Sequence, residues 1–104
     1  LERRCPDKPF EYWIGMFTPE NTEVPDGFLS FDFPEAGLGT CWIYGKENEI
    51  HDTIGCASAV KAADMKLWHD DEGRIWSFEN CVCPRYTVPD EHGNIIMDYC
   101  YFVL

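Results

Sequence analysis

At 104 residues the chain is long enough for one modest hydrophobic core and too short for two. Hydrophobic residues make up 45% and aromatics 15%, which excludes a disordered segment, and the longest apolar runs are too short for a membrane-spanning helix or the core of a secretory signal. Only 8 Lys and Arg stand against 19 Asp and Glu, a net charge of −11, so nucleic acid would have to be contacted by another domain, because phosphate contacts need clustered cations.

The first residue is Leu1 rather than Met, which points to a fragment or a processed product. Residues 1–9 contain Pro6, Pro9 and several charges and read as a linker, leaving 10–104 as the folded domain. Phe10 to Phe17 is aromatic and β-branched enough for a strand that stops at Thr18-Pro19, where proline removes a ladder donor. An acidic, turn-rich stretch follows, and then Phe28, Phe31 and Phe33 carry a short extended piece ending at Pro34. Gly37 to Tyr44 alternates, with Leu38, Thr40, Trp42 and Tyr44 on one side and Cys41 and Ile43 on the other.

Glu47 to Trp68 reads as the main helix. Ile50, Ile54, Cys56, Ala57, Val60, Leu67 and Trp68 share a broad apolar sector, interrupted by Lys61 and Asp64. Glu47 and Glu49 suit the positive end of the helix dipole, Gly55 weakens the interior by about 1 kcal/mol, and Asp70-Asp71-Glu72-Gly73 supplies the stop. Arg74 to Cys83 and Asn94 to Val103 form a long hairpin around the loop Pro84 to Gly93. If Glu79 stands opposite Tyr99, one face carries Ile75, Ser77, Glu79, Cys81, Tyr99 and Tyr101. The other carries Trp76, Phe78, Val82, Ile96, Cys100 and Phe102 and is the natural seat for the helix; a one-residue slip would exchange the faces. The expected class is therefore α+β, an antiparallel sheet with one main helix on one face.

With no secretory signal visible, a cytoplasmic location and reduced cysteines are expected. Cys41, Cys56 and Cys100 sit in apolar segments where a thiol behaves as a small hydrophobe. Zinc on Cys81, Cys83 and His92 is the sharper alternative, but no second closely spaced ligand pair accompanies the Cys-x-Cys, so no metal and no cofactor is expected. His51, His69 and His92 are far apart in the sequence and read as surface residues. No G-x-S-x-G, H-E-x-x-H or G-x-x-x-x-G-K motif marks a nucleophile, zinc or phosphate site.

Glu79 is singled out because it interrupts an aromatic strand. A carboxylate held there in a partly dry cavity attracts a cation far more strongly than one in water, and ring faces add cation–π attraction. Trp13, Trp42, Trp76, Tyr99 and Tyr101 are the candidate walls, with Tyr12 beside them. The plain alternative is a solvated strand glutamate and tryptophans that are simply core.

Phe10-Glu11-Tyr12-Trp13-Ile14-Gly15, Val24-Pro25-Asp26-Gly27-Phe28 and Phe33-Pro34-Glu35-Ala36 are similar, in order and spacing, to a run in GyrI-like effector-binding domains. Trp76-Ser77-Phe78-Glu79, Pro84-Arg85-Tyr86-Thr87, Pro89-Asp90-Glu91-His92-Gly93 and Ile96-Met97-Asp98-Tyr99 resemble the closing hairpin of such domains in AraC-type transcription regulators. The resemblance implies a pocket between two pseudo-symmetric strand-helix-strand-strand units, in which a strand glutamate, matched here by Glu79, draws in cationic or polar aromatic compounds. This chain would then hold one strand of the first unit and all of the second, so that either a homodimer completes the sheet, the rest of a longer protein was removed, or the domain is a half-size variant. Three functions follow: a small-molecule effector-binding domain of a bacterial regulator whose DNA contacts lie in a separate domain; a hydrolase using Glu79 as general base with Tyr99 or Tyr101 orienting the substrate; or an interaction module.

Overall fold

The computed structural model describes residues 1–53 and 55–104; Ile54, placed above on the helix stripe, lies outside the described residues. Among the described residues five strands form, β1 (Glu2–Cys5), β2 (Lys8–Tyr12), β3 (Gly37–Gly45), β4 (Ile75–Asn80) and β5 (Ile95–Val103), with one short helix, α1 (Cys56–Ala62). They make a single antiparallel sheet in the order β2-β1-β4-β5-β3, and the chain is a mostly-sheet α+β fold. No helix among the described residues is long and apolar enough to cross a membrane.

β5 is the spine because almost every residue in it is aromatic, β-branched or sulfur-bearing, so it can be covered on both faces. Its pairing with β4 puts Glu79 opposite Tyr99, the register that alternation suggests. On its other side Cys41 of β3 stands opposite Tyr99.

The two faces divide as expected, but their covers are exchanged. Cys56 and Val60 of α1, with Ile50, pack on Met97, Tyr99, Tyr101 and Val103, the tyrosine face. Trp76, Phe78, Cys100 and Phe102 are covered instead by Trp13, Phe31, Phe33 and Trp68. Phe33 stacks on Phe102 with centroids 4.4 Å apart and planes 8° from parallel. The helix can sit close on its side because Gly39 has no side chain: an added Cβ would lie 2.9 Å from Val60 Cγ1 and 3.2 Å from Met65 Sδ.

α1 is far shorter than the expected Glu47–Trp68 span. Gly55 is its N-cap with φ 90°, a left-handed conformation that cannot lie inside a helix, so Glu47 and Glu49 fall in turns before it. Asp64, with φ 63°, ends the helical path just after it. The Asp70–Gly73 cluster does stop a segment, but as a tight turn into β4: Gly73 has φ 76° and its N–H donates to the Asp70 carbonyl at 2.9 Å.

The expected linker at 1–9 is a correction. These residues contribute β1 and the first two residues of β2, a hairpin that extends the sheet beyond β4, and the expected Phe10–Phe17 strand ends at Tyr12. What fixes the hairpin is charge rather than apolar alternation. Arg3 donates through Nε to Asp70 Oδ2 at 2.7 Å and through Nη1 to Glu11 Oε2 at 3.0 Å, and also pairs with Glu72. Arg74 Nη1 donates to the same Glu11 oxygen at 2.6 Å and to the Pro9 carbonyl at 2.9 Å. Asp70 further accepts from Trp76 Nε1 at 2.9 Å and from the backbone N–H groups of Glu72 and Arg74. Burial alone would raise the Asp70 carboxyl, but this set of donors, Arg3 foremost, holds it down at about 2.

Candidate functional site

β1 is shorter than the strand it borders. Its last pair with β4 sets Glu2 opposite Ser77, so Phe78, Glu79 and Asn80 have no partner from β1. The chain ends of the hairpin are clamped there by a reciprocal pair, Leu1 N to Trp13 O at 2.6 Å and Trp13 N to Leu1 O at 2.7 Å. After Trp13 the backbone leaves the sheet and carries Phe17 over Phe78, their ring centroids 5.2 Å apart. A groove of about 650 Å³ opens in this notch, lined among others by Glu2, Glu79, Tyr12, Trp13, Phe17 and Tyr99. That volume lies within the range of small-molecule sites, roughly 300–1,000 Å³.

Glu2 and Glu79 project from the same face of the sheet, because Glu2 pairs with Ser77 and Glu79 lies two residues beyond it. Tyr99 sits between them. Its hydroxyl donates to Glu2 Oε2 at 2.8 Å and meets Ser77 Oγ at 2.9 Å. Burial pushes the Tyr99 phenol well above its usual value and the Glu2 bond adds to that, while the Ser77 bond opposes it, so the proton stays on Tyr99. Glu2 is also paired with Arg4. Glu79 is freer: its side chain is 39% exposed, and the basic group paired with it among the described residues is His51, Nδ1 to Oε1 3.5 Å, an ion pair only when the imidazole is protonated. Trp13 donates through Nε1 to Glu11 Oε1 at 3.0 Å, which fixes its ring beside Trp76.

The groove thus offers acceptor-only carboxylates and ring surfaces. Such a set holds a cation and a flat apolar body together.

Of the side chains expected at a pocket, Glu79, Tyr99 and Trp13 meet in this groove, and Tyr12 joins them. Trp76, 1% exposed, is instead core and bonded to Asp70. Tyr101 is buried under the helix in the tyrosine-face core, its ring centroid 5.4 Å from that of Tyr99. Trp42 lies two strands away on β3, opposite Asp98, and is 75% exposed. Glu2 and Phe17 line the groove without having been singled out from the sequence. Phe17 closed the aromatic stretch expected as a strand, and Glu2 had no local hint, because its place follows from pairing with a strand far along the chain.

All six cysteines are free, with Cys56 and Cys100 buried and Cys41 half-buried. Burial, reinforced by neighbouring Cys41, pushes the Cys56 thiol up to about 11. Cys81 and Cys83 are exposed, His92 lies beside Glu91 at the hairpin tip, and no group of three or more metal-ligating side chains is assembled among the described residues.

No protein-family model, no curated protein and no solved structure matches the chain.

Proposed function

We propose that this domain is a receptor for small organic cations with flat aromatic bodies, held between the carboxylates of Glu79 and Glu2 and the rings of Trp13 and Tyr12. The observation that carries the reading is the meeting of these groups in one groove of about 650 Å³. A cation 4 Å from a carboxylate gains about 1 kcal/mol in bulk water and about 4 kcal/mol near a protein surface. Glu79, at 39% exposure, lies between those limits, and a ring face adds about 0.5–1 kcal/mol.

In this reading the domain is the effector-sensing part of a cytoplasmic regulator of the GyrI-like, AraC-associated kind. The chain order β3-α1-β4-β5, a strand-helix-strand-strand succession, is the feature of the fold that supports it. The net charge of −11 leaves DNA to a separate segment, and a ligand acts on that segment only by preferring one of two states. A second copy completes the sheet along β3, an edge of nine residues with no charged side chain, on which Leu38, Trp42 and Tyr44 are exposed.

The test uses a matched pair of ligands, the permanently charged 10-methylacridinium and neutral acridine, titrated by calorimetry at pH 7.5. Saturable binding of the cation, at least tenfold tighter than acridine, is expected. Equal binding of the two, or none, overturns the proposal.

A further inference from the structure

We infer that a second groove, at the opposite end of β1, binds a small amphipathic carboxylate, a ligand of opposite sign to that proposed for the first groove. This groove, about 690 Å³, lies between the segment leaving α1 and the Arg4–Cys5 end of β1. Its lining carries the cations Lys61 and Lys66, with Arg4, which is paired with Glu2, and His69 beside them, and no Asp or Glu is part of it.

The distribution of the chain's 8 Lys and Arg side chains singles this place out. Arg3, Arg4, Lys8, Arg74 and Arg85 are all paired with carboxylates. Lys46 donates to the His92 carbonyl at 2.8 Å. Lys61 and Lys66 alone make neither an ion pair nor a side-chain hydrogen bond among the described residues, and both open on this groove. In a chain of net charge −11, where carboxylates outnumber cations more than two to one, two uncommitted lysines on one hollow are where positive potential collects.

A placement in the last turn of α1 accounts for Lys61 through the helix dipole, but Lys66 lies beyond the helix and has no such role. Between the cations Met65, Leu67 and Ile75 supply an apolar floor. The charged rim calls for an anionic head and the floor for an apolar body, so a bare inorganic anion would satisfy only half of the lining. The volume suits a ligand of one or two rings with a carboxylate.

The experiment is a calorimetric titration with 2-naphthoate, its neutral counterpart 2-naphthamide, and inorganic phosphate. Naphthoate should bind saturably, at least tenfold more tightly than either control, and more weakly as salt rises. The double variant Lys61→Gln, Lys66→Gln removes two exposed side chains with no bonded partner, so it should fold as the wild type does by circular dichroism and lose about tenfold in affinity. Lys8→Gln should bind naphthoate unchanged. Naphthamide or phosphate binding as tightly as naphthoate, an undiminished affinity in the double variant, or no naphthoate binding at all would overturn the inference. Prior saturation with 10-methylacridinium should leave naphthoate stoichiometry intact, and its loss would place both ligands in the first groove and overturn the assignment of a second.

Discussion

Replacing Asp70 with asparagine tests the claim that a buried ionic cluster, rather than apolar packing, fastens the β1–β2 hairpin. The Asp70 side chain is 3% exposed. Its Oδ2 accepts from Arg3 Nε and Trp76 Nε1, and its Oδ1 from two backbone N–H groups. Asparagine has one oxygen, so either orientation turns an NH₂ toward a pair of donors while the Arg3 charge loses its nearest partner. Breaking a buried pair costs about 3–5 kcal/mol. Arg3 keeps Glu11 and Glu72, which places the expected loss near 3 kcal/mol, or roughly 12 °C or more in Tm for a domain of this size.

The same carboxylate gives a pH signature. Its folded value near 2 lies below the ordinary 3.8, so its ionised form stabilises the fold above pH 4, and that contribution, about 2 kcal/mol, is lost as pH falls through 2. Urea unfolding followed by tryptophan fluorescence should therefore show a wild-type advantage near 3 kcal/mol at pH 7 that narrows between pH 5 and pH 2. A difference under 1 kcal/mol at pH 7, or one that does not change with acid, would refute the reasoning.

Gly39→Ala should destabilise the domain by about 1–3 kcal/mol in the same assay, since its methyl group would meet Val60 at 2.9 Å and lift α1 from β3. Thr40→Lys adds a charge to the bare β3 edge and should convert a dimer seen by light scattering into a monomer with unchanged circular dichroism; a wild type that is monomeric at high concentration contradicts the edge pairing.

The β4–β5 hairpin was legible because two stretches rich in aromatic and β-branched residues flank a proline- and glycine-bounded loop, and the Glu79–Tyr99 register, which the sequence left as a condition, is the one the strands adopt. Which face the helix would cover was not legible. Both are apolar, and the choice turns on residues 13–36 laying Trp13, Phe31 and Phe33 over Trp76, a packing without periodicity. The helix was overextended because Ile50 and Leu67 continue its apolar stripe, although each reaches the core from outside α1. The hairpin at the start was missed for a different reason. Arg3 and Asp70 are 67 positions apart, and residues that look like a charged linker become strands only when those charges find each other. The candidate site inherits this history: Glu79, Tyr99 and Trp13 could be nominated from an acidic position among rings, whereas Glu2 could not. Tyr101 and Trp76 lie on the strands that carry Tyr99 and Glu79 but are turned into the two cores.

The account stands most directly on the affinity of 10-methylacridinium for Glu79→Gln compared with Glu91→Gln, which removes the same charge from an exposed position on the far hairpin loop. A loss of about 1–2 kcal/mol, or 5–30-fold, is predicted for Glu79→Gln alone, with acridine binding unaffected. Equal affinities in the two variants would contradict it.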